Sequence, residues 1–414
     1  MKQERKNIVR QKNAEERKAI LITIVIVLAI ALLILAAVLF LPNVTENEKS
    51  DELSSDRADN TVSNVSHSEE SSLAESRDAS QTESQDTSES DISDESNDMS
   101  DVSGSDELVH RWVINNLGYT YIYGDIGLEQ CSATTATLQR YADTVNSLSS
   151  SLPSGVKVYS ITVPTHAEFV DIPREIYSAD QFFNASQKNV INGINDRLDS
   201  RITAVNIYET LREHSDEYLY FRTDINWTPL AAYYAYSEFS SAAGFSSPAF
   251  NDYNKEMYTG FLGRFYTATE EPTLAANPDT IEYPLVDPEG NCNLTVYHRG
   301  LIYNNYKVVG NSVSAPSNGY NVFLGMEAER YKITTGNSGD KLLIVSDTSA
   351  AAFVPYLVSH YSEIHYVNPS YFGDSLKGYV SDNGIAEVLF MNYATNANRF
   401  DFTNVLSELG GISG

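Results

Sequence analysis

Residues 341–367 read KLLIVSDTSAAAFVPYLVSHYSEIHYV. An apolar, β-branched run (341–346) leads into Asp347, Thr348 and Ser349. An Ala- and Val-rich stretch with helical character (349–359) follows, and then a second short β-rich run (364–367). Strand, turn, helix and strand in that order, within about 30 residues, is the pattern of a parallel βαβ unit. The alternation continues on both sides. Residues 156–163, 204–208, 218–222 and 386–391 have strand character, and residues 134–150, 185–200, 229–243 and 375–383 have helix character. The runs 156–163, 341–346 and 386–391 are almost continuously apolar, as strands buried on both faces of a parallel sheet must be. The expectation is an α/β fold of three layers, a mainly parallel sheet between helices. Residues 246–339, rich in Tyr, Gly, Pro and Asn, break the rhythm and read as an insertion of hairpins and long loops.

The N-terminus has a different character. Residues 1–18 carry seven Lys/Arg against three Glu, and residues 19–41 (AILITIVIVLAIALLILAAVLFL) carry no charge. At about 1.5 Å per residue this run spans roughly 34 Å, enough for a ~30 Å hydrocarbon core. It exceeds the ~7–15 apolar residues of a signal peptide. It therefore reads as one transmembrane helix, with the basic tail 1–18 in the cytoplasm and the remainder of the chain outside. Residues 42–105 then hold 18 Ser and 18 Asp/Glu against Lys49, Arg57 and Arg77. Such a segment cannot bury enough apolar surface to offset ordering entropy, so a disordered, self-repelling acidic linker is expected before a domain at 106–414.

Charge and cysteine usage exclude several classes. A net charge of −28 is wrong for nucleic acid, which requires clustered cations. Cys131 and Cys292 lack metal-ligand spacing and are too few for a disulfide framework, so two separate thiols are expected, with one disulfide between them as the alternative. No G-x-x-x-x-G-K-[ST], G-x-G-x-x-G or H-E-x-x-H pattern is present, so neither a cofactor nor a metal is expected.

In open α/β sheets ligands bind beyond the carboxyl ends of the strands. Three such ends carry polar groups: His166 and Glu168 in VPTHAEF (163–169), Asp224 and Asn226 in TDINW (223–227), and Asp347, Thr348 and Ser349 in the opening stretch. A hydroxyl at a helix N-terminus beside free N–H groups suits an oxyanion.

VPTHAEF, YFRTDINWTPLAAYYAY (220–236) and VSDTSAAAFVPYLVSHYSEIHYVNPSYF (345–372) together resemble the DHHW proteins of Gram-positive bacteria. These are relatives of the alginate O-acetyltransferases with an SGNH-hydrolase-like fold, and the resemblance covers most of residues 108–395. It implies membrane anchoring or export. It also implies an acyl-transfer triad, in which the Asp and second His of an Asp-His-His-Trp motif act with a Ser from a later turn. Placed on this chain, those positions carry Asp224, Ile225, Asn226 and Trp227, and the serine falls on Thr348. The acid and the aromatic are kept and both imidazoles are replaced.

A triad base must take the hydroxyl proton and return it to the leaving group, which an amide cannot do. The remaining histidines are poor substitutes. His67 lies in the linker, and His360 lies roughly 18 Å from Thr348 along a regular helix. His365 enters the following strand from its far end. His110, His214 and His298 fall in a helix before the domain, an exposed turn and the insertion. Only His166, past a strand end, is placed to line the same crevice.

The expected function is a catalytically inactive, membrane-anchored, extracytoplasmic protein that binds or scaffolds at the cell surface. Its partner would be a cell-envelope polysaccharide or a membrane protein. The alternative is an esterase or O-acetyltransferase acting on a surface polysaccharide, with Thr348 or Ser349 as nucleophile and an unrecognised base.

Overall fold

The computed structural model describes residues 108–411. The tail 1–18, the membrane helix 19–41 and the linker 42–105 expected from sequence lie outside the described residues. Among the described residues no helix is long and apolar enough to cross a membrane.

The strands are, in chain order, β1 (His110–Asn115), β2 (Gly118–Tyr123), β3 (Ile126–Leu128), β4 (Lys157–Val163), β5 (Ile202–Ala204), β6 (Lys255–Phe261), β7 (Asp279–Pro284), β8 (Asn293–His298), β9 (Leu301–Tyr303), β10 (Arg330–Thr334), β11 (Lys341–Ser346), β12 (Glu363–Val367) and β13 (Glu387–Tyr393). The principal helices are α1 (Thr135–Ser151), α2 (Gln187–Asn195), α3 (Pro229–Ala243), α4 (Leu376–Asn383) and α5 (Phe400–Glu408). One sheet of eight strands runs β5-β4-β13-β11-β12-β10-β8-β9. Its β5-to-β12 half is parallel, and β10, β8 and β9 extend it antiparallel. Strands β1–β3 form a separate antiparallel sheet, and β6 pairs with β7. Residues 246–339 thus contribute β6–β7 and three antiparallel strands of the large sheet.

Side chains alternate across a strand, and here both faces of the sheet are buried. Along β11, Leu342 and Ile344 join one apolar cluster, which includes Ala231, Ala235 and Phe239 of α3. Leu343 and Val345 join another with Tyr141 and Val145 of α1, Val190 of α2, Leu376 of α4 and Leu406 of α5. Each of those four β11 side chains is 0% exposed. At ~1.5–3 kcal/mol per buried side chain, the strand is held from both sides, which is why it reads as an unbroken apolar run. Helix α3 begins and ends as its sequence dictates. Thr228 caps it by accepting from Ala231 N, Pro229 opens the first turn, and Gly244 closes it at φ 88°.

Several expectations are corrected. Residues 218–222 are not a strand of any sheet: only Tyr220 forms an isolated bridge, to Trp227. Leu219, Tyr220 and Phe221 are buried, which gave the run its strand character. A carboxylate takes the place of a neighbouring strand, because Asp279 accepts from the backbone N–H of Arg222 (3.0 Å) and of Thr223 (2.8 Å). The strand read at 204–208 is instead β5, and a helical turn starts at Tyr208. The helix read at 349–359 is a short α turn, Ala350–Phe353, followed by a 3₁₀ turn, Val354–Leu357, because Pro355 has no N–H to continue the α ladder. His110 lies on β1 rather than on a helix, where its Nδ1 meets Asp180 Oδ2 at 2.6 Å.

Candidate functional site at the carboxyl edge of the sheet

Three of the parallel strands end side by side. Asp347 and Thr348 follow β11, Asn368 follows β12, and Tyr393 closes β13. The turn Asp224–Trp227 is brought over this edge by its tryptophan. Trp227 is fully buried, donates from Nε1 to the Ser349 carbonyl (3.0 Å), and donates from its backbone N–H to the Tyr393 hydroxyl (3.1 Å). One aromatic side chain therefore locks the 224–227 turn onto both the β11 turn and the end of β13.

That lock aligns three polar groups in series. Thr348 Oγ1 donates to Asn226 Oδ1 at 2.8 Å, and Asn226 Nδ2 donates to Asp224 Oδ1 at 2.7 Å. A carboxylate only accepts, so the amide nitrogen faces Asp224 and the amide oxygen faces the hydroxyl. Tyr393 also donates to Asn226 Oδ1, at 3.4 Å. Asp224 is further held by the backbone N–H of Asn226 on Oδ1 (2.8 Å) and of Arg264 on Oδ2 (2.7 Å). Its close packing against Gly263 leaves no room for a side chain there: a Cβ on Gly263 would collide with Asp224 Cβ and Oδ2.

Burial pushes the Asp224 carboxyl above its ordinary range, against the pull of the Arg264 and Asn226 N–H groups. Burial acts likewise on Asp347, opposed by its hydrogen bonds from Asn396 and Ser349. Asp347 is a structural acid. It accepts from Ser349 N (3.0 Å), Tyr393 N (2.9 Å) and Asn396 Nδ2 (2.8 Å), and so ties the β11 turn to the segment after β13. Ser349 is fully buried, with its hydroxyl turned to Ser346 at 3.1 Å, so Thr348 is the hydroxyl of this turn that meets the clefts.

Two clefts flank Thr348. The larger, about 310 Å³, is lined by apolar side chains, among them Leu117, Ile225, Phe265, Phe402 and Val405, and by polar ones, among them Glu129, Asp347, Asn368, Asn396 and Tyr393. The smaller, about 200 Å³, is reached past Asp224, Asn226, Tyr320 and Tyr366. Arg264 and Glu327, an ion pair, border both. No His or Lys lines either cleft among the described residues.

The histidines are engaged elsewhere. His166 does not share this crevice as expected: it stacks on Tyr220 (centroids 5.3 Å) and lines a separate cleft with Tyr218 and Arg222. Burial pushes its pKa down to about 4. His360 bonds to the Tyr236 hydroxyl at 2.6 Å, and His365 sits mid-strand in β12 between the Tyr379 hydroxyl (2.7 Å) and Glu363 (3.1 Å). Cys131 and Cys292 are separate free thiols, each raised to about 12, chiefly by burial. No metal-binding group of His, Cys, Asp or Glu occurs among the described residues.

Sequence reasoning brought Asp224, Asn226 and Thr348 to one site and missed three of its supports. Tyr393 was legible in principle, since β13 runs two residues beyond the expected 386–391 and Tyr393 is its last residue. Arg264 and Gly263 carried no signal, because their role depends on a contact formed 40 residues from Asp224.

A family model describing DHHW proteins matches residues 41–367. The chain belongs to the DHHW family. In this DHHW protein the stretch resembling the name motif reads Asp-Ile-Asn-Trp. A DHHW family protein from Eubacterium siraeum has a similar solved structure, with 27% identity and a TM-score of 0.61, covering 71% of this chain and 96% of that one. Bacillus cereus PatB1 shares the mixed α/β fold at 17% identity and a TM-score of 0.57, covering 71% and 99%. A PatB1 structure with a sulfonyl adduct matches at 18% identity and a TM-score of 0.55, covering 71% and 97%. None of the curated proteins matches the chain.

Proposed function

We propose that this DHHW protein is a membrane-anchored, extracytoplasmic glycan-binding protein. It keeps an SGNH-hydrolase-like fold and the acyl-transfer site of that fold in a dismantled form. Asn226, standing between Asp224 and Thr348, carries the reading. In a serine triad the imidazole accepts from the nucleophile on one side and donates to the acid on the other. The amide reproduces both hydrogen bonds. It does not reproduce the imidazole's proton affinity, so Asn226 accepts the Thr348 hydrogen bond without taking the proton.

General-base help is worth about 10²–10⁴-fold, and a hydroxyl nucleophile acts only with a base beside it. The lack of His or Lys along both clefts among the described residues supports the same conclusion. The larger cleft supports a sugar as ligand. Its lining combines apolar side chains with carboxylates and amides, and includes the exposed Tyr119 and Tyr371. A pyranose has one apolar face and a ring of hydroxyls, which such a lining matches. The apolar run 19–41 supports the anchor.

The competing reading is an esterase or O-acetyltransferase. What favours it is the Thr348 hydroxyl, still aimed along an intact hydrogen-bond chain, and the sulfonyl adduct held by PatB1, a protein of the same fold. One assay separates the two. The full chain is incubated with an activated acetyl ester and with an acetylated glycan, beside Thr348→Ala. No turnover above buffer is expected from either protein. Turnover that disappears in Thr348→Ala would replace binding by catalysis.

A further inference from the structure

The charges lining the larger cleft are Glu129, Arg264, Glu327, Asp347, Arg399 and Asp401. Both arginines are already engaged: Arg264 pairs with Glu327, and Arg399 pairs with Asp401 through Nη2 at 2.6 Å. Asp347 spends its acceptor capacity on Ser349, Tyr393 and Asn396. Glu129 is different. It accepts from Thr395 Oγ1 at 3.1 Å on one oxygen, which leaves capacity on a carboxylate that borders the cleft. A ligand anion would meet no uncommitted cation here, in a domain that holds 18 Lys/Arg against 35 Asp/Glu over residues 106–414.

We infer that the cleft selects a sugar unit carrying a free amine, with Glu129 as the carboxylate that recognises the ammonium, and that it rejects uronate- and phosphate-bearing glycans. This rests on the reading of the cleft as a glycan site. Burial pushes the Glu129 carboxyl above its ordinary range, with Thr395 and Arg399 opposing. An arriving ammonium supplies the counter-charge that the cleft withholds, and a charge-assisted hydrogen bond is roughly twice as strong as a neutral one.

The test is calorimetric titration of the full chain with three probes: glucosamine oligomers, N-acetylglucosamine oligomers and galacturonate oligomers of equal length. The glucosamine oligomer is expected to bind about tenfold tighter than the N-acetylated one, with no galacturonate binding. Glu129→Gln should erase that preference, so that the glucosamine and N-acetylglucosamine oligomers bind alike. Glu175→Gln, on an exposed helix away from the cleft, should keep the preference, which separates local recognition from the overall negative field. Equal binding of all three probes, tightest binding of galacturonate, or a preference that survives Glu129→Gln would overturn the selection and leave glycan binding standing. Failure of all three probes to bind would overturn the glycan reading itself.

Discussion

At Asn226 the side chain satisfies the same two neighbours as a neutral imidazole would, a donor hydroxyl on Thr348 and an acceptor carboxylate on Asp224. The site is therefore fully hydrogen-bonded without being able to move a proton. Its geometry depends on the backbone beside it as much as on the three named residues. Gly263 has an ordinary φ, so its constraint is space: the Asp224 carboxylate packs where a Cβ would stand. Gly263→Ala is expected to destabilise the protein by about 1–3 kcal/mol, the usual range for overpacking. It should also displace Asp224 from the Arg264 N–H. The midpoint of urea unfolding checks this, and an unchanged midpoint would show that the turn yields freely.

Among the elements, those whose signal lies within or next to their own residues were legible from the sequence. Strand β11 and helix α3 match the expected 341–346 and 229–243 to the residue; the first is one apolar run, and Thr228, Pro229 and Gly244 bound the second. The run 218–222 misled because Leu219, Tyr220 and Phe221 are as buried as a strand's side chains while the Arg222 N–H, where a strand would pair, donates to Asp279, 57 positions away. Convergence of Asp224 with Thr348 was expected from the rule that strand ends gather, but no strand immediately precedes Asp224; Trp227 brings its turn to the sheet edge through Ser349 and Tyr393.

A charge cluster joins the antiparallel extension to the parallel half. Lys332 of β10 and Lys341 of β11 reach Glu363 of β12 at 3.1 and 3.2 Å. Although burial opposes it, hydrogen bonds from His365, Lys332 and Lys341 hold the Glu363 carboxyl down at about 2. A depressed carboxylate contributes stability above its unfolded value, 4.5, and loses it as pH falls towards 2. The lysines are about a third exposed, so screening reduces the contribution to about 1–2 kcal/mol. Glu363→Gln should lower stability by that amount at pH 7 and make little difference at pH 2. Urea unfolding of both proteins at the two pH values reads the difference, and an equal gap at both would assign the loss to packing.

For the molecule as a whole, the proposal places a domain outside the membrane on a long acidic tether. Protease added to intact cells is expected to release a soluble fragment by cutting within residues 43–105, and a domain protected until lysis would reverse the orientation. At its site, we propose that the Thr348 hydroxyl sits in a former acyl-transfer position and is not activated. The most direct measurement is peptide-level mass spectrometry of the full chain after incubation with an aryl sulfonyl fluoride, which captures activated hydroxyls. The expected result is no sulfonyl adduct on the peptide containing Thr348. An adduct at Thr348 would overturn the reading of an inert hydroxyl, because it would mean that something beside the hydroxyl takes its proton.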